Sequence, residues 1–246
     1  EVQSNYHRIN RQDVYKHTIN EALLKRALVD DGALSSYAAK LMQAPIKSDN
    51  LDEFLIMTEL FAEYERNGGF FKIHIPNVAA VTSTEGDAKA ALRAIRQAAG
   101  NLKFLSTRYN AARMPVFADT NDLVLFCTPE FKAAIDVNAL AAAFNIDRAD
   151  VPTRFIEVPK ERLNIDGVQA ILTTKDFFVV ADTLLRNESQ WNPFNLHMNY
   201  FWHHHSIISA SRFVPAVAFT TGVGSEVIEI SPKIVSIDKL EVFDAD

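Results

Sequence analysis

One cysteine, Cys127, in 246 residues excludes an internal disulfide framework and fits synthesis in a reducing compartment. At the end of an apolar run, it reads as a small buried hydrophobe rather than a reactive thiol. Glycine is scarce, eight in all, and no stretch matches GxxxxGK[ST] or GxGxxG, so a phosphate-cradling loop is excluded. Ser206, Ser209 and Ser211 lack a GxSxG setting, which leaves a hydrolase nucleophile unsupported. There is no signal peptide and no run of about 18 apolar residues, so a soluble chain with no membrane partner is expected. A net charge of −6 argues against a dedicated nucleic-acid binder. The paired acids Asp49, Asp52 and Glu53, and Glu63 and Glu65, are read as capping and solvating groups. The expectation is no enzyme, with no catalytic, cofactor-binding or metal-ligating residue and no cofactor.

What the chain does have is apolar material. It is 48% hydrophobic with 17 phenylalanines, enough for one large domain, or one plus an appendage, and more rings than such a domain readily hides. The rings concentrate in Trp191–Thr221, after a turn at Asn192-Pro193. From Asn199 this stretch reads as a strand, with Tyr200, Trp202, His204 and Ile208 on one face and Phe201, His203, His205, Ile207 and Phe213 on the other. Rings on both faces require cover on both sides, so Trp191, Tyr200, Phe201, Trp202 and Phe213 are candidate subunit-interface aromatics. Pro215 should break the strand before the apolar run Val217 to Phe219. His203 and His205 could share a face and a metal, which keeps a His-dependent metalloenzyme as an alternative. However, three consecutive strand residues cannot converge on one ion, and no carboxylate lies nearby in the segment.

In chain order, residues 1–16, with Arg8, Arg11 and Lys16, read as a polar arm. The spacing Val14, Ile19, Leu23, Ala27 predicts an amphipathic helix from Asp13 through Val29. A second helix, Ala33 to Gln43, should stop at Pro45, with a polar connector at residues 47–50. Asn50 and Glu53 then cap a helix that Gly68-Gly69 ends. Phe70 to Ile75 reads as a strand. Thr84 with Asp87 caps what should be the longest helix, running to about Arg108 on the seam Ala88, Leu92, Ile95, Ala99, Leu102, Leu105. An α/β unit follows: a strand at Asp122 to Cys127, a helix opened by Thr128-Pro129-Glu130, and strands at Arg154 to Val158, Val168 to Thr173 and Phe177 to Thr183. Gly222-Val-Gly224 reads as a hinge, and Val227, Ile230, Val235, Ile237, Leu240 and Val242 as the start of a small β-domain. The chain is expected to be part of a longer polypeptide.

Charge is one-sided in one place. Lys89, Arg93, Arg96, Lys103, Arg108 and Arg113 fall in a stretch with no acid between Asp87 and Asp119. The first reading is a solvated face or a set of intersubunit salt-bridge donors. The alternative is a surface that attracts nucleic-acid phosphates without reading sequence.

Several stretches then carry a resemblance. DEFLIMTELFAEYERNGGFFKIHIPN, ALRAIRQAAGNLKFLSTRYNAA, DLVLFCTPEFKAAIDVNALAAAFNID with FFVVADTL, and NPFNLHMNYFWHHHSIISASRFVPAVAF are similar to successive segments of tailed-phage major capsid proteins of the short-tailed Bacillus-phage type. The resemblance implies an α+β Hong Kong 97-like capsid fold. It implies an N-terminal arm and helices over 1–49, a peripheral domain over 50–119 with residues 85–108 as spine helix, and an axial domain over 120–185. Residues 186–221 would return to the peripheral domain through a strand at 199–221, and 222–246 would hold the hinge and the start of an immunoglobulin-like module. Implied too are self-assembly into pentamers and hexamers around double-stranded DNA and further partnership with scaffolding and portal proteins. The location would be the virion capsid, with host cytoplasm during assembly. A nanocompartment shell is the alternative within the same fold.

Overall fold

The computed structural model describes residues 4–20, 31–142 and 154–221. These fall into two compact units. A hairpin unit takes the chain up to Met57 together with Val179–Ser209, and a core unit takes Thr58–Phe178 and the chain from Ala210. The helices are α1 (Asp31–Arg66), α2 (Glu85–Leu102), α3 (Pro129–Ala142) and the one-turn α4 (Lys160–Leu163). The strands are β1 (Arg11–Asn20), β2 (Phe71–His74), β3 (Leu123–Cys127), β4 (Arg154–Glu157), β5 (Val168–Thr174), β6 (Phe178–Asn192), β7 (His197–Ala210) and β8 (Ala216–Thr220).

The core unit is built on a five-stranded sheet in the order β2-β8-β5-β3-β4. β2 runs parallel to β8 and β3 to β4, while β5 is antiparallel to both of its neighbours. Strand alternation sorts its apolar residues into two layers. Leu123, Leu125, Ala170, Leu172, Val217 and Phe219 join Ile95, Leu102 and Phe131 in one cluster. Ile171, Ala216 and Ala218 join Phe61, Tyr64, Phe70 and Phe177 in the other. Both faces of β5 are therefore covered, and all seven of its residues are buried. Phe61 is the hub of the second layer, with ring centroids 5.0 Å from Phe126, 5.0 Å from Phe178 and 5.5 Å from Phe177.

Local signals act here as the sequence predicts. Thr84 and Asp87 form a reciprocal capping box that opens α2. The Phe131 amide donates to the Thr128 hydroxyl at 3.3 Å as Pro129 starts α3. Gly68 leaves α1 at φ 66°, and a Cβ on Gly69 would lie 2.4 Å from the Tyr64 ring. Pro215 precedes β8, as expected of a residue that cannot donate to a ladder.

The hairpin unit holds a three-stranded antiparallel sheet in the order β1-β7-β6, with Arg11 opposite Ser206 and Asn20 opposite His197. Along β7 the side chains of His204, Ser206 and Ile208 are buried, while the odd-numbered residues between them are half-buried. This is the two-faced alternation expected for the segment.

Several expectations are corrected. Residues 11–20 are a strand, not the start of a helix or a loose arm. Half-buried and exposed side chains alternate there after buried Arg11, and β7 satisfies the backbone, so register outweighs the weak helical spacing. Residues 21–29 lie outside the described residues. Pro45 does not end a helix, and residues 47–50 are not a connector, because α1 runs through both. A proline removes one helical donor, the one that would serve the Leu41 carbonyl, yet α1 continues, and the carbonyls beside and beyond it gain side-chain donors: the Ser48 hydroxyl donates to the Ala44 carbonyl at 3.2 Å, and Arg11 of β1 donates to the Asp49 carbonyl at 3.2 Å. α1, at 36 residues, is twice the length of α2 at 18, so the longest described helix is not the one at 85–108. α2 stops at Leu102, and Leu105 is exposed rather than on the seam. The two compact units divide the described chain at 57/58, 178/179 and 209/210. The glycine hinge and β-tail at 222–246 lie outside the described residues.

Candidate functional site

The predicted basic residues are all exposed in the core unit, but they do not share one helix. Lys89, Arg93 and Arg96 are on α2, Lys103 is its C-cap, and Arg108 and Arg113 lie in the loop beyond. Lys89 pairs with Glu85 at 2.5 Å, one helical turn back. The Arg108 guanidinium sits 5.5 Å from the Phe71 ring centroid and, with Phe71, Ile73, Ala94, Ala98 and Tyr109, lines a shallow pocket of about 250 Å³. The loop itself is fixed. Ser106 and Val116 exchange backbone hydrogen bonds of 2.9 and 3.0 Å, and buried Asn110 both donates to the Met114 carbonyl and accepts from its amide. Arg113 takes a left-handed φ of 53° inside this closure.

Of the five predicted aromatics, Trp191, Tyr200, Phe201 and Trp202 lie in the hairpin unit and Phe213 in the core unit. Every residue of β6 from Val180 to Trp191 is exposed, and the tip carries Phe194 at 91% exposure beside Leu196 at φ 50°. Lys16 lies 5.9 Å from the Phe201 ring centroid.

The hairpin unit also contains a buried polar network that no local pattern announces. From β1, Arg11 donates to Asp13 at 2.6 Å, to the Tyr15 hydroxyl at 2.8 Å and to the Asp49 carboxylate of α1 at 2.5 Å. Tyr15 donates to Asp52 of α1 at 2.5 Å, and the Trp202 indole to Asp49 at 3.2 Å. His204 of β7 places Nδ1 2.7 Å from Asp49 and Nε2 2.9 Å from Asp182 of β6. The side chains of Arg11, Asp49 and His204 are almost fully enclosed, at 1%, 7% and 6% exposure.

Proton bookkeeping follows from this geometry. A neutral imidazole has one N–H, whereas His204 faces a carboxylate oxygen from each ring nitrogen, so the cation satisfies both contacts. Burial pulls the His204 pKa down, but the hydrogen bonds to Asp182 and Asp49 outweigh it and hold the pKa above its ordinary value. Burial likewise pushes Asp49 up, and His204, Trp202 and the charge on Arg11 outweigh it and hold the carboxyl below the usual range. The Tyr15 hydroxyl is raised by burial and by its bond to Asp52. Arg11 Nη1 and the Ser206 hydroxyl, on residues directly opposed across β1 and β7, are buried without a partner.

The sequence offers the histidines a metal or, as the stronger reading, stacking and hydrogen bonds at an interface, and shows no carboxylate within their segment. The partners come from 155 and 22 residues away, a distance no spacing rule spans. The one available signal was the alternation that put His204 on the inward face. Among the described residues no group of three or more His, Cys, Asp or Glu side chains could hold a metal ion. Among them, too, no helix is long and apolar enough to cross a membrane. In the core unit, burial pushes the Cys127 thiol up to about 11.

Comparison with known proteins places this geometry in a family. The model for Phi29-like phage major capsid proteins matches residues 1–220. The major capsid protein of Bacillus phage B103 is 33% identical over 242 residues, covering 96% of this chain and 53% of that protein. That of Bacillus phage PZA is 30% identical over 240 residues, covering 96% and 52%. The chain thus spans about half the length of the curated relatives it matches. Among solved structures, a chain from the capsid of Staphylococcus phage Andhra superposes with a TM-score of 0.68 at 12% identity, covering 86% of this chain and 70% of that one. A chain from the mature capsid of bacteriophage PhiM1 gives 0.54 at 9% identity, covering 88% and 72%. The expected α+β capsid fold is the one observed.

Proposed function

Because the chain belongs to the family of Phi29-like phage major capsid proteins, we propose that it is a shell subunit. Copies associate into pentamers and hexamers that close into an icosahedral head around double-stranded DNA, with scaffolding and portal proteins as assembly partners. The virion capsid is its location, and host cytoplasm is where it assembles. In this reading the spine helix lies within residues 85–108, where α2 is found, in a peripheral part over 50–119, residues 120–185 are the axial part, and 186–221 return to the peripheral part. The observation that carries it is the family match across nearly the whole described chain. The exposed run of β6 supports it, since a hairpin with twelve successive exposed residues gains little burial of its own and suits cover by neighbouring copies.

The mechanism is association rather than turnover. Apolar and aromatic contacts supply most of the free energy, and charge sets register and curvature. The basic residues on α2 would either face the genome or pair with a neighbour. Expressed with its scaffolding partner where required, the protein should form closed particles by electron microscopy. A discrete monomer at high concentration would overturn the reading. Arg93→Glu with Arg96→Glu should lower retained DNA more than particle yield, whereas equal losses would assign these residues to intersubunit pairing.

A further inference from the structure

The loop that follows α2 exposes apolar surface at its neck. Phe104 is 73% exposed, Leu105 69% and Phe117 64%. The antiparallel Ser106–Val116 bridge puts Leu105 and Phe117 at the two positions next to it on adjoining segments. The two bridge hydrogen bonds and the Asn110–Met114 clamp hold those segments in place. Leu105 and Phe117 flanking one fixed bridge, with Phe104 next in sequence, concentrate exposed apolar surface in one short loop, unlike single exposed residues scattered over a surface.

The surroundings say what fits it. Lys103, Arg108 and Arg113 flank these residues in sequence as a basic collar, inside the stretch from residue 88 to 118 that carries six bases and no acid. The remaining 19 bases face all 31 acids, so the rest of the chain carries a surplus of twelve negative charges. A second copy therefore offers both complements, acidic surface for the collar and apolar surface for the neck. Double-stranded nucleic acid offers phosphates to the collar but nothing to cover Leu105 and Phe117.

We propose that the neck of the 103–118 loop is a docking surface for a second copy of this chain. The proposal rests on the shell-subunit reading and names one of its contacts. The contact joins this loop on one copy to a different, acidic surface on the next. It is heterologous, the kind that closes rings. The three side chains expose on the order of 400 Å², against about 800 Å² per partner in a stable pairwise interface. The loop is thus one contact of a set, weak alone and cooperative in a closed shell.

The test uses the full chain with Leu105→Asp and Phe117→Asp together. Circular dichroism and thermal unfolding report folding, and sedimentation velocity with electron microscopy reports association. The expected result is an unchanged spectrum and melting temperature, with particles appearing only at a protein concentration at least about ten times that of the parent, the equivalent of roughly 1.4 kcal/mol. Should the aspartates disturb the fold, Leu105→Ser with Phe117→Ser carries the same expectation. Particles at the parent's own concentration would overturn the proposal and leave the shell reading standing. Normal particles that retain less DNA would overturn it in favour of a nucleic-acid contact. A parent protein that stays monomeric throughout would overturn the shell reading and this contact with it.

Discussion

In the core unit, β5 is buried at all seven positions and packed on both faces, whereas in the hairpin unit β6 is exposed from Val180 through Trp191. The first region is closed by its own chain, through two apolar layers whose rings meet edge to face. The second is tied by charge: one arginine, one histidine and four aspartates drawn from β1, α1, β6 and β7. Apolar burial is insensitive to pH and adaptable in detail. A buried ionic network fixes one arrangement, and losing any member leaves another charge enclosed and unpaired. The contrast fits a subunit with one self-sufficient part and one part that keeps contact surface for its neighbours.

The sharpest break in that contrast should come from Phe61→Ala. It removes the ring that touches Phe70, Phe126, Phe177 and Phe178, and should cost about 3–5 kcal/mol in denaturant unfolding. The loss should not vary between pH 5 and pH 8, because no titratable group belongs to that ring cluster's contacts beyond the always-neutral Tyr64. A smaller loss is expected from Asp49→Ala, about 3 kcal/mol, since it leaves Arg11 and His204 enclosed without their shared carboxylate. Hydrogen exchange should register it first at β1 amides, with β5 amides unchanged. Equal acceleration of both strands would erase the distinction between the units.

The mildest effect is a pH dependence confined to the hairpin unit. His204 has its folded pKa raised above 6.5, so its stabilisation is complete below that pH and is lost as pH rises through the folded value. Asp49 has its folded pKa lowered below 3.8, so its contribution is complete above that pH and is lost as pH falls through the folded value. The groups facing His204 are Asp49 of α1, Asp182 of β6 and, through Asp49, Arg11 of β1. Protection of β1 amides should therefore decline on the alkaline side, and His204→Gln should flatten that decline. Retention of the decline in His204→Gln would assign it to another group.

Much of the fold was legible. The Thr84–Asp87 and Thr128-Pro129 starts and the Gly68-Gly69 stop rest on bonds or steric limits within a few residues, and β2 to β5 and the two-faced alternation of β7 show in the local apolar pattern. The misreadings share one cause. Val14 and Ile19 suit a helix until β7 offers a ladder, and Pro45 reads as a stop although α1 loses only one backbone donor there and runs on to Arg66. Leu105 fits the α2 seam only while the helix continues, yet α2 stops at Leu102 and the chain turns out to meet Val116.

For the candidate site, composition located the six basic residues, which are exposed, and the aromatics Trp191, Tyr200, Phe201, Trp202 and Phe213, of which Trp191 is exposed and the others half-buried. The sequence alone determined which residues are apolar, where the charge is one-sided and where α2 and α3 begin, because each is a property of the residue or of its near neighbours. Only the tertiary structure decided that Asp49 and Asp182 would enclose His204, and that Ser106 would bridge to Val116. Those pairings depend on strand register and on where α1 lies against the sheet of its own unit, and contacts closed across 155 residues leave no mark in local spacing.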